Sequence, residues 1–351
     1  MTIRVAIAND TVIALEALRR AIETNPAYSL IWTAQDGVQA VEKAQQDTPD
    51  LILMDLLMPA LDGVEATRQI MARSPCAILI VTASVRGNTS KVFEAMGAGA
   101  LDVVKTPSLG RGFDRGNSAS DRVAAQPLLA KMSTMSAYLG KSQRGTAERN
   151  LLADVKKPSL ELVAIGASTG GPKALAKILS RMPTERKTAF VVVQHIDAQF
   201  AAGLADWLNR QTAMVVRLAK PGDVPAAGTV LVAGGDRHLV MERDRTLSYT
   251  DAFSRVVHRP SVDVFFASLA KYWPVATQKS GGISGKAILL TGMGRDGAKG
   301  LFALRSAGWM TFAESRESCV VYGMPKAAIA LDAACKVMSV QAISEALVTN
   351  L

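Results

Sequence analysis

The sequence predicts an α/β protein made of two parallel-sheet domains. Three observations predict it. Strand-length apolar runs alternate with amphipathic helical segments in both halves of the chain. A polar, glycine-rich stretch separates the halves. Polar residues of chemical interest fall just past the ends of the apolar runs. Alternation of this kind argues for parallel sheets covered by helices on both faces. At 351 residues the chain is long enough for two ordinary domains, and its 49% hydrophobic content supports well-packed cores.

In residues 1–107, the apolar runs Ile3–Ala8, Leu30–Ala34, Leu51–Met54, Ala77–Val81 and Asp102–Val104 read as five strands. Val12–Glu23, Val38–Gln46, Gly63–Arg73 and Asn88–Met96 read as the helices between them. In the first helix Val12, Leu15, Leu18 and Ile22 keep near-helical spacing on one side. Residues 108–157 read as an interdomain linker. Gly110 to Ser120 is polar and glycine-rich, Gln126–Leu139 has the spacing of a short helix, and Lys141–Lys157 is polar again. Residues 158–351 return to alternating strands and helices, with a β-hairpin expected around Val230–Thr250.

The net charge of +9 is unevenly spread, at −3 over residues 1–107, +5 over 108–157 and +7 over 158–351. No arginine-rich run, aromatic-interleaved basic patch or helix-turn-helix pattern accompanies it, so nucleic acid is not an expected partner. No apolar stretch reaches the length of a membrane span, and the first residues lack a signal-peptide layout. Three scattered cysteines suit neither a disulfide framework nor a zinc site. A cytoplasmic setting without membrane insertion is expected.

Five strand ends in the first half carry polar groups. Asn9 and Asp10 follow the first strand, Asp55 the third, Thr82 the fourth and Lys105 the fifth. A carboxylate can accept a phosphoryl group when a divalent cation offsets the charge and donors grip the oxygens. Asp10 and Asp55 would hold magnesium, which prefers carboxylates and water. Thr82 and Lys105 would contact the phosphoryl oxygens. Any one of these residues alone is more often a cap or a surface charge.

The second half offers different chemistry. Leu160 to Pro172 reads as a buried strand, a sharp turn and a helix, with Ser168 inside Gly166-Ala167-Ser168-Thr169-Gly170. This fits the short Gly-x-Ser-x-Gly elbow, a weak signal alone, and a glycine-rich anion-binding turn is an alternative. His195 ends the run Val191–Gln194, and Asp296 follows the run Ala287–Leu290. Ser168, His195 and Asp296 would then form a Ser-His-Asp hydrolase site at the carboxyl ends of parallel strands. Taken singly, a histidine after a strand is more often structural, and Asp296 also reads as the N-cap of a helix over Gly300–Ala307. The order Ser, His, Asp differs from the Ser, Asp, His order of α/β hydrolases. His238 is placed in a turn, His258 is placed where it would line the crevice, and Ser261 is placed as the cap of a helix over Val262–Tyr272.

The five-position pattern, with Asp55-Leu56-Leu57-Met58-Pro59, Asp62-Gly63 and Lys105-Thr106-Pro107, resembles the receiver domains of two-component response regulators. The resemblance implies a flavodoxin-like five-stranded receiver, phosphorylation of Asp55, and a magnesium site that includes the backbone carbonyl of Leu57. Asn9 departs from it, because receivers usually carry a second acid there; Asn9 would still supply a carbonyl oxygen to the magnesium site, with one negative charge fewer. The segments Ile165–Pro172, Val193-Gln194-His195, His258–Asp263 and Leu290–Ala298 resemble the chemotaxis methylesterase family, CheB. That resemblance implies a doubly wound esterase domain that hydrolyses glutamate methyl esters on methyl-accepting chemoreceptor helices, releases methanol, and deamidates certain glutamines. It implies Ser168 as nucleophile, His195 as base, Asp296 as orienting acid, Met293 as oxyanion donor and Thr169 beside the nucleophile. A chemosensory histidine kinase would supply the phosphoryl group. Magnesium would serve the receiver only, with no cofactor for ester hydrolysis. The first strand and helix further resemble a Wsp-type surface-sensing subgroup.

The domain order implies gating, with the unphosphorylated receiver covering the esterase crevice. An adaptor or phosphate sink that uses the receiver as its output is the competing reading. A DNA-binding regulator has only the positive charge in its favour.

Overall fold

A computed structural model of the chain describes residues 2–83, 89–107, 119–139, 160–184, 186–253, 256, 258–273 and 284–349. The chain divides into two units, residues 1–143 and 144–351.

The first unit runs β1 (Ile3–Ala8), α1 (Val12–Glu23), β2 (Tyr28–Ala34), α2 (Gly37–Gln46), β3 (Leu51–Asp55), α3 (Gly63–Arg73), β4 (Ala77–Thr82), α4 (Thr89–Ala98), β5 (Asp102–Lys105) and α5 (Ala119–Leu139). Its five strands are parallel in the order β2-β1-β3-β4-β5. Chain direction across the sheet reverses between β1 and β3, so a crevice opens beyond their carboxyl ends. Asn9, Asp10 and Asp55 lie there. The apolar strands are buried on both faces, which explains their near-continuous hydrophobic runs.

Helix α5 corrects the domain boundary. The sequence reading closed the first domain at residue 107 and placed a short helix in the linker. Instead α5 is 21 residues long, and Ala125, Leu128, Met132 and Met135 form its buried stripe. They pack with Val5, Ile7, Leu18, Ile22 and Val104 in one core. Lys131 Nζ donates to Asp102 Oδ1 at 2.6 Å and to the Val103 carbonyl at 2.7 Å, tying α5 to β5. Pro127 hides the helix in the sequence, because proline is at home in a first turn and not in an interior. The remaining linker stretches, 108–118 and 140–157, lie outside the described residues.

The second unit runs β6 (Glu161–Ala167), α6 (Gly171–Leu179), β7 (Thr188–Gln194), α7 (Ala198–Asn209), β8 (Val215–Leu218), β9 (Thr229–Val232), β10 (His238–Met241), β11 (Leu247–Thr250), α8 (Val262–Tyr272), β12 (Ser284–Leu289), α9 (Ala298–Ser306), β13 (Met310–Glu314), α10 (Met324–Ala330), β14 (Lys336–Met338) and α11 (Val340–Thr349). Seven strands form a parallel sheet in the order β14-β13-β12-β6-β7-β9-β8. The chain winds one way from β6 through β7 and the other way from β12 through β14. The switch point therefore falls at β6, between β12 and β7.

The hairpin is β10–β11, at the end of the predicted segment. Val230, Leu231 and Val232 belong instead to β9, inside the parallel sheet and buried on both faces. Their unbroken apolar run suits that environment. Among the described residues, no helix is long and apolar enough to cross a membrane.

Truncation tests the corrected boundary. A fragment ending at residue 143 should unfold cooperatively, whereas one ending at 107 should not, because its sheet would expose the face that α5 covers. Within the full chain, Leu128→Ala should destabilise the first unit by about 2–4 kcal/mol, the range for a buried leucine truncation. Urea unfolding followed by circular dichroism measures both.

Candidate active site and receiver site

Ser168 follows β6 directly, and the elbow is held by several backbone bonds. Ser168 N donates to the Thr291 carbonyl at 3.0 Å, and Gly171 N donates to the Ser168 carbonyl at 2.8 Å. Gln194 Nε2 bridges the carbonyls of Ser168 (2.8 Å) and His195 (3.1 Å). Gly170 caps α6 with φ at 79°, a conformation that favours glycine, and a Cβ there would lie 2.7 Å from Val320. Gly292 is a closer fit still. A Cβ on it would meet Met324 Sδ at 2.4 Å and Ser168 Cβ at 2.6 Å. The loop after β12 can thus lie directly against the serine only because residue 292 has no side chain.

β7 delivers His195. Ala167 and Gln194 are register partners, and His195 N donates to the Ala167 carbonyl at 2.9 Å, so Ser168 and His195 stand at neighbouring strand ends. His195 Nε2 meets Asp296 Oδ2 at 2.7 Å, with side chains only 8% and 7% exposed. A carboxylate accepts, so Nε2 carries the proton. Nδ1 is then the basic nitrogen. It is buried and makes no hydrogen bond among the described residues, including none to Ser168. Catalytic hydrogen bonds commonly tighten only when substrate is present.

Asp296 does not cap α9, whose N-cap is Gly297. It sits instead at the N-terminus of α8. Oδ1 accepts from Ser261 Oγ (2.7 Å) and Asp263 N (3.1 Å), while Oδ2 accepts from Val262 N (2.7 Å) as well as His195. Burial alone would raise this carboxyl. The His195 hydrogen bond and charge, with the Ser261 hydroxyl and Val262 N–H, outweigh burial and hold it down at about 2. Ser261 caps α8 as expected, accepting from Val264 N at 3.3 Å.

Thr169 is buried next to Ser168, and its carbonyl accepts from Thr291 Oγ1 at 2.9 Å. Met293 follows Gly292 on the loop and is 37% exposed. Three contributors have contacts that the sequence did not show, although His258 was expected to line the crevice. His238 lies in no turn. It begins β10, is fully buried, and its Nδ1 accepts from Ser261 N at 3.2 Å. The apolar Leu239-Val240-Met241 run beside it was the available signal. Glu314, at the end of β13, accepts from Thr291 N at 2.7 Å and from Ser318 Oγ at 2.7 Å. Burial pushes its carboxyl up. The third is His258, whose ring stacks on that of His195.

In the first unit, Asp55 Oδ1 accepts from Leu56 N at 2.7 Å and Oδ2 accepts from Asn9 Nδ2 at 3.1 Å. Asn9 Oδ1 accepts from Thr11 N. Burial pushes the Asp55 carboxyl up to about 6, against the Leu56 N–H and with help from the charge of Asp10. Two carboxylates in mutual repulsion, one of them half-buried, are a donor set that a divalent cation relieves. Thr82 is buried and pairs in register with Lys105. The Lys105 side chain is exposed and forms no ion pair with Asp55 among the described residues.

The profile of the CheB methylesterase family matches residues 163–347, and that of the response regulator receiver domain matches residues 5–110. The chain belongs to the CheB methylesterase family. It is 48% identical over 349 residues to a Pseudomonas syringae pv. syringae protein named protein-glutamate methylesterase/protein-glutamine glutaminase 2, covering 98% of each chain. It is 50% identical over 335 residues to a Bordetella avium protein of the same name, numbered 1, covering 95% of this chain and 93% of the relative. The crystal structure of the Thermotoga maritima CheB methylesterase catalytic domain matches with a TM-score of 0.50 and 34% identity. It covers 55% of this chain and all of the other. The CheB relatives thus span both units, and the matched catalytic domain is the esterase half.

The two aspartates lead to opposite expectations. The raised Asp55 carboxyl keeps a proton that the unfolded chain has lost, so its contribution to stability falls as pH rises from about 4 to about 6. Asp55→Asn should therefore stabilise the receiver at about pH 7.5, by roughly 1–2 kcal/mol after allowing for partial exposure. Thermal unfolding of the full chain should show the gain shrinking toward about pH 4.5. Magnesium should raise the wild type and not the variant. The lowered Asp296 carboxyl stabilises the fold above about pH 4, and the roughly 2 kcal/mol it contributes is lost as pH falls toward about 2. Asp296→Asn should lower kcat by about 10³–10⁴-fold, as loss of the orienting acid does in other triads.

Proposed function

We propose that this chain hydrolyses γ-glutamyl methyl esters on the signalling helices of methyl-accepting chemoreceptors, and deamidates glutamines at such sites. The observation that carries the reading is the His195–Asp296 pair, anchored on α8 and set beside Ser168 at the sheet's switch point.

The geometry supports one course. Ser168 Oγ attacks the ester carbonyl while His195 Nδ1 takes its proton. Asp296 stays ionised and holds Nε2–H, supporting the imidazolium that forms. The tetrahedral oxyanion is met by the Met293 N–H and by the N-terminal end of α6. As the intermediate collapses, His195 returns the proton to the leaving oxygen and methanol departs. A water, deprotonated by His195, then attacks the acyl-Ser168 ester, freeing the glutamate carboxylate and restoring the serine. With a glutamine side chain, the protonated leaving group is ammonia.

The receiver is the proposed gate. Asp55 would accept a phosphoryl group from a chemosensory histidine kinase in the cytoplasm. Asp10, Asp55 and the Leu57 carbonyl would hold magnesium, which offsets charge on the incoming group. Thr82 and Lys105 would grip the phosphoryl oxygens. Release of the esterase by this step is a population shift between two states of the chain.

Methanol release from methylated receptor membranes tests both halves. Wild-type activity should rise with acetyl phosphate and magnesium. Ser168→Ala should abolish turnover by about 10⁴-fold or more, as removal of a triad nucleophile does. Asp55→Asn should retain basal turnover and lose the stimulation. Release that survives Ser168→Ala would overturn the assignment of the nucleophile. Stimulation that survives Asp55→Asn would overturn the gate.

A further inference from the structure

The imidazole of His258 lies on that of His195, with ring centroids 4.3 Å apart and planes 8° from parallel. His195 is otherwise held by one side-chain hydrogen bond, from Nε2 to Asp296. Nε2 lies nearer the line of the Cβ–Cγ bond than Nδ1 does. A hydrogen bond there fixes where the ring points and resists rotation about that bond less than one at Nδ1 would. Such terminal torsions have broad minima. Nδ1 lies well off the line, so this rotation decides where the basic nitrogen goes. A flat ring in contact with one face blocks the rotation.

The segment that brings His258 is itself anchored. Three residues on, Ser261 donates its N–H to His238 Nδ1 and its hydroxyl to Asp296. One segment therefore carries both the plate on His195 and part of the cradle for its acid. Among the described residues, the charged group that bears on both rings is Asp296 from the loop after β12; His238 from β10 and Arg259 next to His258 bear on each other. Burial lowers the His258 pKa, and the neighbouring His195 lowers it further, against the pull of Asp296. A neutral ring is what an imidazolium forming at His195 requires on its face, because a cation is attracted to a π-face and repelled by a second cation.

We propose that His258 is a positioning residue of the esterase site, whose ring stacks on His195 and sets its rotation so that Nδ1 faces the Ser168 hydroxyl. The proposal rests on the triad reading given above.

Two variants of similar bulk decide it. His258→Phe keeps a flat ring, whereas His258→Leu fills the space without one. Both are assayed as full-length chains with acetyl phosphate and magnesium on methylated receptor membranes, beside wild type and Ser168→Ala. His258→Leu should lower kcat by about 10–100-fold, the loss expected when a catalytic group is misplaced by about an ångström, with KM within about threefold. His258→Phe should stay within about fivefold of wild type in kcat. Labelling of Ser168 by a small fluorophosphonate, which needs no receptor, should fall in the same order. Equal kcat for the two variants would overturn the proposal. So would a loss confined to KM, or labelling at the wild-type rate in His258→Leu, since each makes His258 a receptor contact. Should His258→Leu fail to fold in a thermal melt, the His258→Phe result still decides, because a kcat more than about tenfold below wild type contradicts a role that needs only the flat ring. Turnover by Ser168→Ala would instead sink the triad reading, whatever the His258 variants do.

Discussion

The esterase half depends on a carboxylate that is kept ionised out of water. Asp296 is nearly buried, and burying a lone carboxylate is costly. Four donors offset the cost, namely the Ser261 hydroxyl, two N–H groups at the start of α8, and His195. Three of these come from one helix N-terminus, whose dipole favours the same charge. The acid is therefore a structural member that joins the loop after β12 to α8, and through His195 to β7. The tautomer of His195 follows from it. So does the identity of the basic nitrogen, because a carboxylate on Nε2 leaves only Nδ1 free to take a proton.

Topology places this node. In both units the parallel sheet is wound in two directions from a central strand, and the chemistry collects where the winding reverses. In the receiver that point lies between β1 and β3, and it gathers Asn9, Asp10 and Asp55. In the esterase it lies at β6, with Ser168 flanked by His195 from β7 and Asp296 from beyond β12. The two sites use aspartate oppositely. Asp296 is given more donors than it needs to stay ionised. Asp55 is given few, and burial and the charge of Asp10 raise its carboxyl, a cost that a divalent cation can relieve. A carboxyl held down and a carboxyl pushed up thus arise from one side chain in two environments.

Much of this was legible in the sequence, for identifiable reasons. Strands buried on both faces write themselves as apolar runs, so β1, β3 and β4 were readable to within a residue or two, and the ends of β6 and β7 that carry Ser168 and His195 were readable too. The polar residue after each run was readable for the same reason, which is how Ser168, His195 and Asp55 stood out. What was not readable depended on partners distant in sequence. Asp296 stood out after its apolar run as well, but the α8 N-terminus that anchors it, more than thirty residues upstream, did not. His238 reads as a turn residue in the sequence because its partner, Ser261, lies 23 positions away. The stack of His258 on His195 spans 63 positions and leaves no trace in local spacing. Helix α5 was shortened and assigned to the linker because Pro127 interrupts its pattern and its burial stripe faces strands much earlier in the chain.

Asn9 shows how one such departure alters the balance of the receiver. An acid at this position would add a third carboxylate to a crevice where Asp10 already raises Asp55. Without metal the Asp55 carboxyl would then be pushed higher still, and the empty crevice would be more strained. Asn9 does the reverse, because its amide donates to Asp55 Oδ2 at 3.1 Å and favours the ionised form. The same amide cannot supply the charge that an acid would offer a divalent cation. The substitution therefore lowers the free energy of the metal-free, ionised receiver and weakens its grip on magnesium. Both effects lessen what metal binding gains. Phosphorylation of Asp55 should consequently require a higher magnesium concentration here than in a receiver with paired acids, while leaving the nucleophilic oxygen ionised over a wider pH range.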